Sequence, residues 1–217
     1  MSGFADRIHA GRVLAGVLRS RGIEGDAVVL GLARGGVPVA AEVARGLDLP
    51  LDVFVVRKIG VPGHEELALG AIASGGVRVL NLDVLSAIAV PDEVIEDLTA
   101  REREELERRE REYRDGGTAV DVRGRAAILV DDGLATGSSM RAAVAALRRR
   151  DAGRIVVAVP VAPPAACAEL ERSADEVVCA RTPEPFMAVG AWYDDFRQVT
   201  DEDVRRLLGG RSGPSGG

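Results

Sequence analysis

The segment I-L-V-D-D-G-L-A-T-G-S-S-M, residues 128 to 140, sets two adjacent carboxylates, Asp131 and Asp132, just ahead of Ala135, Thr136, Gly137, Ser138 and Ser139. Small and hydroxylated residues at the start of a helix offer unpaired backbone N–H groups at the positive end of the helix dipole, which favours a phosphate. Two acids directly upstream would repel that phosphate if they touched it. They therefore face another part of the same ligand, and sugar hydroxyls, which donate to carboxylates, suit that place. Taken alone, a strand ending in Asp with a capped helix after it also occurs as plain α/β architecture. Neither common nucleotide loop is present: no lysine follows Gly137, and G-x-G-x-x-G is absent.

Two other segments carry cations at places where a chain would turn. G-L-A-R-G-G-V-P, residues 31 to 38, puts Arg34 beside Gly35 and Gly36 at what reads, on its own, as a tight strand-to-helix turn. Arg57 and Lys58 follow the apolar run L-D-V-F-V-V, and of 28 cations all but Lys58 are arginine. His64, in P-G-H-E-E, falls in the loop expected after Lys58, where a histidine is either simply exposed or has a catalytic or lid role.

The elements that must position these groups are legible as apolar runs alternating with helical stretches. Runs at 27–32, 51–56, 126–130, 154–160 and 176–180 read as strands buried on both faces. Residues 4–21 place Phe4, Ile8, Ala15 and Leu18 at helical spacing, with His9 on the surface and Gly22 as a stop. Further helices are expected from after residue 38 to about 47, from about 138 to 150 and from about 164 to 172. Such alternation predicts right-handed crossovers and an open, mainly parallel five-stranded sheet of order 2-1-3-4-5, with helices on both faces. The switch point then lies between strands 1 and 3, so the Arg34 and Asp131 loops flank one crevice.

Around this core, residues 59–75 read as a loop entering a short strand near 69–73, with a hairpin partner at 77–81 joined through S-G-G. Residues 91–114 form a long charged helix, with Val94, Ile95, Leu98, Leu106 and Tyr113 near one face. Seven acids and six arginines between 101 and 115 suit a solvated helix laced with ion pairs, or else a dimer contact or cap. The expected organisation is one domain over 1–208: a core at about 25–181, the helical insertion at about 91–115, a hood at about 182–200, and a disordered tail at 209–217.

Apolar strand, Asp-Asp, three residues and Thr-Gly-Ser-Ser together resemble the phosphoribosyl pyrophosphate (PRPP) signature of the type I phosphoribosyltransferases. The resemblance implies that Asp131 and Asp132 hold the ribose hydroxyls and that Ala135 to Ser139 cradle the 5′-phosphate. The 31–38 segment looks like the family's pyrophosphate loop (Arg34, Gly35, Gly36), and V-R-K at 56–58 looks like the start of its mobile catalytic loop. Arg57 and Lys58 would thus serve the leaving group, and Asp132 is the carboxylate nearest the chemistry. The implied reaction is transfer of 5-phosphoribose to a nitrogenous base, purine-like by preference, with Mg2+ held largely by PRPP oxygens.

The hood, T-P-E-P-F-M-A-V-G-A-W-Y-D-D-F-R, resembles that of the 6-oxopurine enzymes, in which a lysine precedes a stacking phenylalanine. Here Pro185 precedes Phe186, so base stacking by Phe186 or Trp192 is expected without that lysine; plain core is the alternative for both. A PRPP- or nucleotide-binding regulator without turnover is the competing function. Arg34, Arg57 and Lys58, which serve the leaving group, favour the enzyme.

Bulk properties narrow the partners. Net charge is −6 and no basic patch with interleaved aromatics is visible, so nucleic acid is not an expected partner. No apolar run approaches the roughly 18 residues of a membrane span, and no leader is apparent. Cys167 and Cys179 are too few for a disulfide framework and are expected as reduced, buried small hydrophobes, in keeping with a cytoplasmic protein. A homo-oligomer, by preference a dimer, is expected.

Overall fold

The computed structural model describes residues 3–23, 25–88 and 90–209. The expected disordered tail lies, from residue 210, outside the described residues. In chain order the elements are α1 (Arg7–Ser20), β1 (Ala27–Leu32), α2 (Gly36–Leu47), β2 (Leu51–Phe54), β3 (Val56–Val61), β4 (His64–Ala73), β5 (Val77–Leu80), α3 (Leu82–Ala87), α4 (Asp92–Arg114), β6 (Ala126–Val130), α5 (Ser138–Arg149), β7 (Arg154–Val161), α6 (Pro164–Leu170), β8 (Glu176–Arg181) and α7 (Asp201–Gly209). A short 3-10 turn, Val189–Trp192, precedes α7.

Five strands form one parallel sheet, β2-β1-β6-β7-β8, the expected 2-1-3-4-5 order when its strands alone are numbered. Alternate side chains of each strand enter opposite layers. Val28, Leu30, Leu129, Ile155 and Val157 pack with Met140, Val144 and Leu147 of α5 and Leu170 of α6. Val29, Ile128, Val130, Val156 and Ala158 pack instead with Leu14 and Leu18 of α1 and Val39 and Val43 of α2. Both faces are covered, which is why these strands read as unbroken apolar runs. Each fully buried aliphatic side chain contributes about 1.5–3 kcal/mol relative to exposure. A charge at any of these positions would break the layer.

The second sheet differs from expectation. The run at 51–56 is not one strand, because Ser74 captures Val55: Val55 N donates to Ser74 Oγ at 2.8 Å and Ser74 N donates to the Val55 carbonyl at 2.9 Å. The chain therefore leaves the large sheet after Phe54 and enters an antiparallel sheet, β3-β4-β5. Residues 59–75, expected mostly as loop, are the paired strands β3 and β4, with register shifts at Gly60. Gly-rich composition there marks bulges and turns within a sheet. The β4-β5 hairpin through Gly75-Gly76 is as expected.

The charged insertion is helical, with Ile95, Thr99, Leu106 and Tyr113 buried on one stripe. Its outer surface carries the anticipated ion pairs, Arg108 bridging Glu105 and Glu112 and Arg109 meeting Glu105. Those arginines hold the Glu105 carboxyl down at about 2. Helix α7 was not anticipated. The cysteines are a correction: α6 folds back over β8 and joins Cys167 to Cys179 in a disulfide across 12 residues of sequence. Cysteine usage therefore gives no argument for a reducing compartment. Among the described residues no helix is long and apolar enough to cross a membrane.

Candidate active site

β1 and β6 lie side by side, and the chain leaves them for helices on opposite faces of the sheet, α2 and α5, through loops of different construction. Between those loops is the crevice. Leu32 leads through Ala33 and Arg34, whose shared peptide is cis, to Gly35 and Gly36 at the start of α2. A Cβ on Gly36 would lie 2.5 Å from the Val130 carbonyl and 2.8 Å from Asp131 Cα. One on Gly35 would lie 2.2 Å from Asp132 Oδ2. Two glycines are thus required because the two loops touch closely, at the expected switch point.

The acids occupy the floor of that contact. Asp131 Oδ1 accepts the Asp132 N–H at 2.9 Å. Asp132 Oδ2 accepts from Arg7 Nε at 2.8 Å and Nη2 at 2.7 Å, with the two side chains only 14 % and 11 % exposed. Burial, and then the charge of Asp132, pushes the Asp131 carboxyl well above the usual carboxylate range. Burial also raises Asp132, and the Arg7 guanidinium opposes that rise. Tyr193 donates its hydroxyl to the Asp132 carbonyl at 2.6 Å, and burial followed by the Asp132 charge raises that phenol too. These contacts occupy one oxygen of each carboxyl, Asp132 Oδ2 and Asp131 Oδ1, and the second oxygen of each can accept from a hydroxyl donor.

Beyond them the chain turns through Gly137, at φ 68°, into α5. No side chain caps this helix, so its first N–H groups face outward beside Ser138 and Ser139. Ala135 and Thr136 are exposed, and Arg141 Nη1 donates to the Thr136 carbonyl at 2.8 Å, stiffening the loop. Lys58, expected at the leaving group, instead lines with Ser138, Ser139, Arg141 and Asn81 a cavity of about 460 Å3 between β3-β4-β5 and α5, and it does not line the cavity shared by Arg34 and the acid pair.

A cavity of about 440 Å3 is lined by Arg34, Gly35, Asp131 and Asp132 together with Arg7, Phe196, Gln198 and Val199. Arg34 Nη1 also lies 3.6 Å from Asp201 Oδ1 on α7. Arg57 pairs through Nε with Glu102 of α4 at 2.7 Å. His64 is exposed at the start of β4, and its surroundings give it no place in either cavity. Phe186 and Trp192 pack against Phe4, Val161 and Tyr193 as partly buried core rather than lining the acid cavity.

The aromatic in that cavity is Phe196, whose ring lies 3.9 Å beneath the Arg7 guanidinium and 5.0 Å from the Tyr193 ring. Arg7 also donates to the Arg197 carbonyl at 2.8 Å. Sequence reasoning singled out neither Arg7, Tyr193 nor Phe196 as a site residue. An arginine on an amphipathic helix carries no sign that it will bridge 125 residues to Asp132. For the carboxylates, the donor set fits a metal carried by phosphate oxygens of a ligand, since magnesium commonly takes one or two carboxylates beside substrate phosphates. Among the described residues no group of three or more His, Cys, Asp or Glu could hold an ion unaided.

A family model described as phosphoribosyl transferase domain matches residues 6–190. Two curated proteins from strains of Mycobacterium tuberculosis, both provisionally described as phosphoribosyl transferases, are 47 % identical over 206 residues, covering 94 % of this chain. That match takes in 46 % of their length, so the chain spans about half of the curated relatives it matches. The crystal structure of the TT1426 protein of Thermus thermophilus superposes with a TM-score of 0.86 at 47 % identity, over 98 % of this chain and 100 % of that one. A Neisseria gonorrhoeae protein, solved with ppGpp bound, shares the fold at a TM-score of 0.52 and 17 % identity, over 96 % of each chain. With an acid pair, an uncapped helix start and a glycine-paired loop converging at the switch point, the chain belongs to the phosphoribosyl transferase domain family and has its type I fold.

Proposed function

We propose that the protein transfers 5-phosphoribose from PRPP to a planar nitrogenous base, releasing pyrophosphate. One observation carries this reading: Arg34 and Gly35 share a cavity with Asp131 and Asp132, and the uncapped start of α5 continues from the same loop. The acids accept the ribose hydroxyls, residues 135–139 take the 5′-phosphate, and Lys58 faces that end. The Arg34-Gly35-Gly36 loop takes the pyrophosphate, with Arg57 assisting. The ring-nitrogen lone pair forms the bond to ribose carbon 1, and the bond from carbon 1 to oxygen breaks with its electron pair leaving on pyrophosphate. The N–H proton passes to water. The protein supplies no nucleophile; it positions both reactants and neutralises the departing charge. Magnesium bound to PRPP would add Lewis-acid stabilisation of that charge.

The acceptor end follows by elimination. Once ribose and pyrophosphate are placed, Arg7, Phe196, Gln198 and Val199 remain to face the base. They offer an aromatic face and a guanidinium rather than the hood lysine that Pro185 displaces. A base carrying exocyclic oxygen suits such donors better than one relying on an exocyclic amine.

The test incubates the protein with PRPP and magnesium against a panel of purine, pyrimidine and pyridine bases while pyrophosphate release is measured. Release with at least one oxygen-bearing base is expected. PRPP binding with no release for any base would replace the enzyme with a PRPP-binding regulator.

A further inference from the structure

Helix α4 carries Ile95, Thr99, Glu102, Leu106 and Tyr113 at helical spacing along one stripe. Four of the five are buried; Glu102, three residues after Thr99 and four before Leu106, is a carboxylate where the pattern calls for an apolar side chain. A charge at such a position costs stability unless a partner compensates it. The partner is Arg57, whose Nε meets Glu102 Oε2 at 2.7 Å.

The same helix reaches the other leaving-group cation through α7. Tyr113, 1 % exposed, donates to Asp201 Oδ1 at 2.6 Å. The same oxygen lies 3.6 Å from Arg34 Nη1. The rest of the joint is apolar: Leu106 and Tyr113 of α4 pack with Val37 of α2, Val53 of β2, Val199 and Val204. Arg57 and Arg34 are therefore each balanced by a carboxylate anchored, directly or through a buried phenol, to one inserted helix.

We infer that α4 and α7 form the charge-balancing arm of the leaving-group site, with Glu102 and Asp201 as positioning residues that hold Arg57 and Arg34 and set how tightly pyrophosphate is retained. The inference rests on the assignment of these arginines to the leaving group. A polyanion entering the site weakens two existing ion pairs, and the carboxylates regain their cations as it departs. Without them the cations would be unpaired, bind pyrophosphate more tightly and release it more slowly. The α4–α7 arm thus presents one carboxylate to each arginine assigned to the leaving group, Glu102 to Arg57 and Asp201 to Arg34.

The prediction has a direction opposite to that of structural damage. Titration calorimetry with magnesium pyrophosphate should show Glu102→Gln and Asp201→Asn each binding about three- to five-fold more tightly than the unmodified protein, the range expected for partly exposed pairs. Glu105→Gln, which removes a carboxylate paired only on the outer surface of α4, should change affinity by less than about two-fold. In an Arg57→Met background, Glu102→Gln should lose its effect, isolating the pair as a double-mutant cycle does. Unmodified protein that does not bind pyrophosphate would overturn the leaving-group assignment itself. If the unmodified protein binds but both variants bind equally or less tightly, the assignment stands and the charge-balancing arm does not.

Discussion

Arg7 and Asp132, 125 residues apart, meet through two nitrogens on one carboxylate oxygen, Oδ2, at 2.8 and 2.7 Å. The N-terminal helix thereby supplies the counter-charge for an acid at the end of the central strand β6. Removing one partner of an enclosed pair leaves the other charge without compensation.

Arg7→Met should accordingly lower stability by roughly 3 kcal/mol at pH 8, a fall in Tm of about 6–12 °C for a chain of this size. Loss of Arg7 raises the Asp132 pKa further, so the folded state binds a proton that the unfolded state does not. Stability of the variant then falls as pH rises through that window. Thermal melts at pH 5 and pH 8 should show a deficit that is larger at pH 8; an equal deficit at both would exclude the ion pair as its cause.

Asp131 should behave in the opposite sense. Its carboxyl is raised by burial and by Asp132, so ionising it in the folded protein costs stability between the ordinary carboxylate range and its raised value. Asp131→Asn should therefore raise Tm by about 2–4 °C at pH 7 while weakening PRPP binding at least ten-fold. The thermal gain should shrink as pH falls and vanish below about pH 4, where both states are protonated. Retained PRPP affinity in this variant would refute the ribose assignment.

Gly36→Ala tests the contact between the two loops. The added Cβ would lie 2.5 Å from the Val130 carbonyl, so backbone must move. A cost of about 1–3 kcal/mol is expected, together with loss of pyrophosphate binding. Melting and calorimetry on one preparation check both; an alanine variant that binds pyrophosphate normally would show that the loops need not touch.

Phe196→Leu addresses the acceptor. Loss of the ring removes about 0.5–1.5 kcal/mol of stacking, so the KM for the base should rise about three- to ten-fold with the KM for PRPP unchanged. Phe186→Leu, altering a ring packed against Phe4 and Tyr193, should instead lower Tm and leave the base KM alone. Steady-state kinetics on the two variants separate platform from core.

What could be read from the sequence follows from how local each signal is. Residues 128–140 hold strand, acids and helix start in one stretch, so residue type and order were sufficient. The 2-1-3-4-5 order followed from apolar runs because strands covered on both faces show no alternation to confuse them. By contrast, the break at Val55 depends on Ser74, 19 residues away, and nothing in L-D-V-F-V-V announces it. Gly60, Pro62 and Gly63 resemble loop composition, yet they form the bulge and turn of β3-β4. Phe186, Trp192 and Phe196 are equally aromatic in sequence, and only packing decides which ring reaches the acid cavity. Arg7 shows the limit most clearly, since its partner lies beyond any periodicity that α1 could display.

The Tyr193–Asp132 and Arg7–Asp132 contacts carry a consequence for how the chain folds. Phe4 pairs with Tyr193 in an isolated parallel bridge, and Phe196, Gln198 and Val199 wall the same cavity as Arg7. During synthesis the large sheet can assemble through β8 before this wall has left the ribosome. Closing contacts of such large sequence separation form slowly relative to local ones, so binding competence should be acquired after, and on a slower phase than, burial of the core.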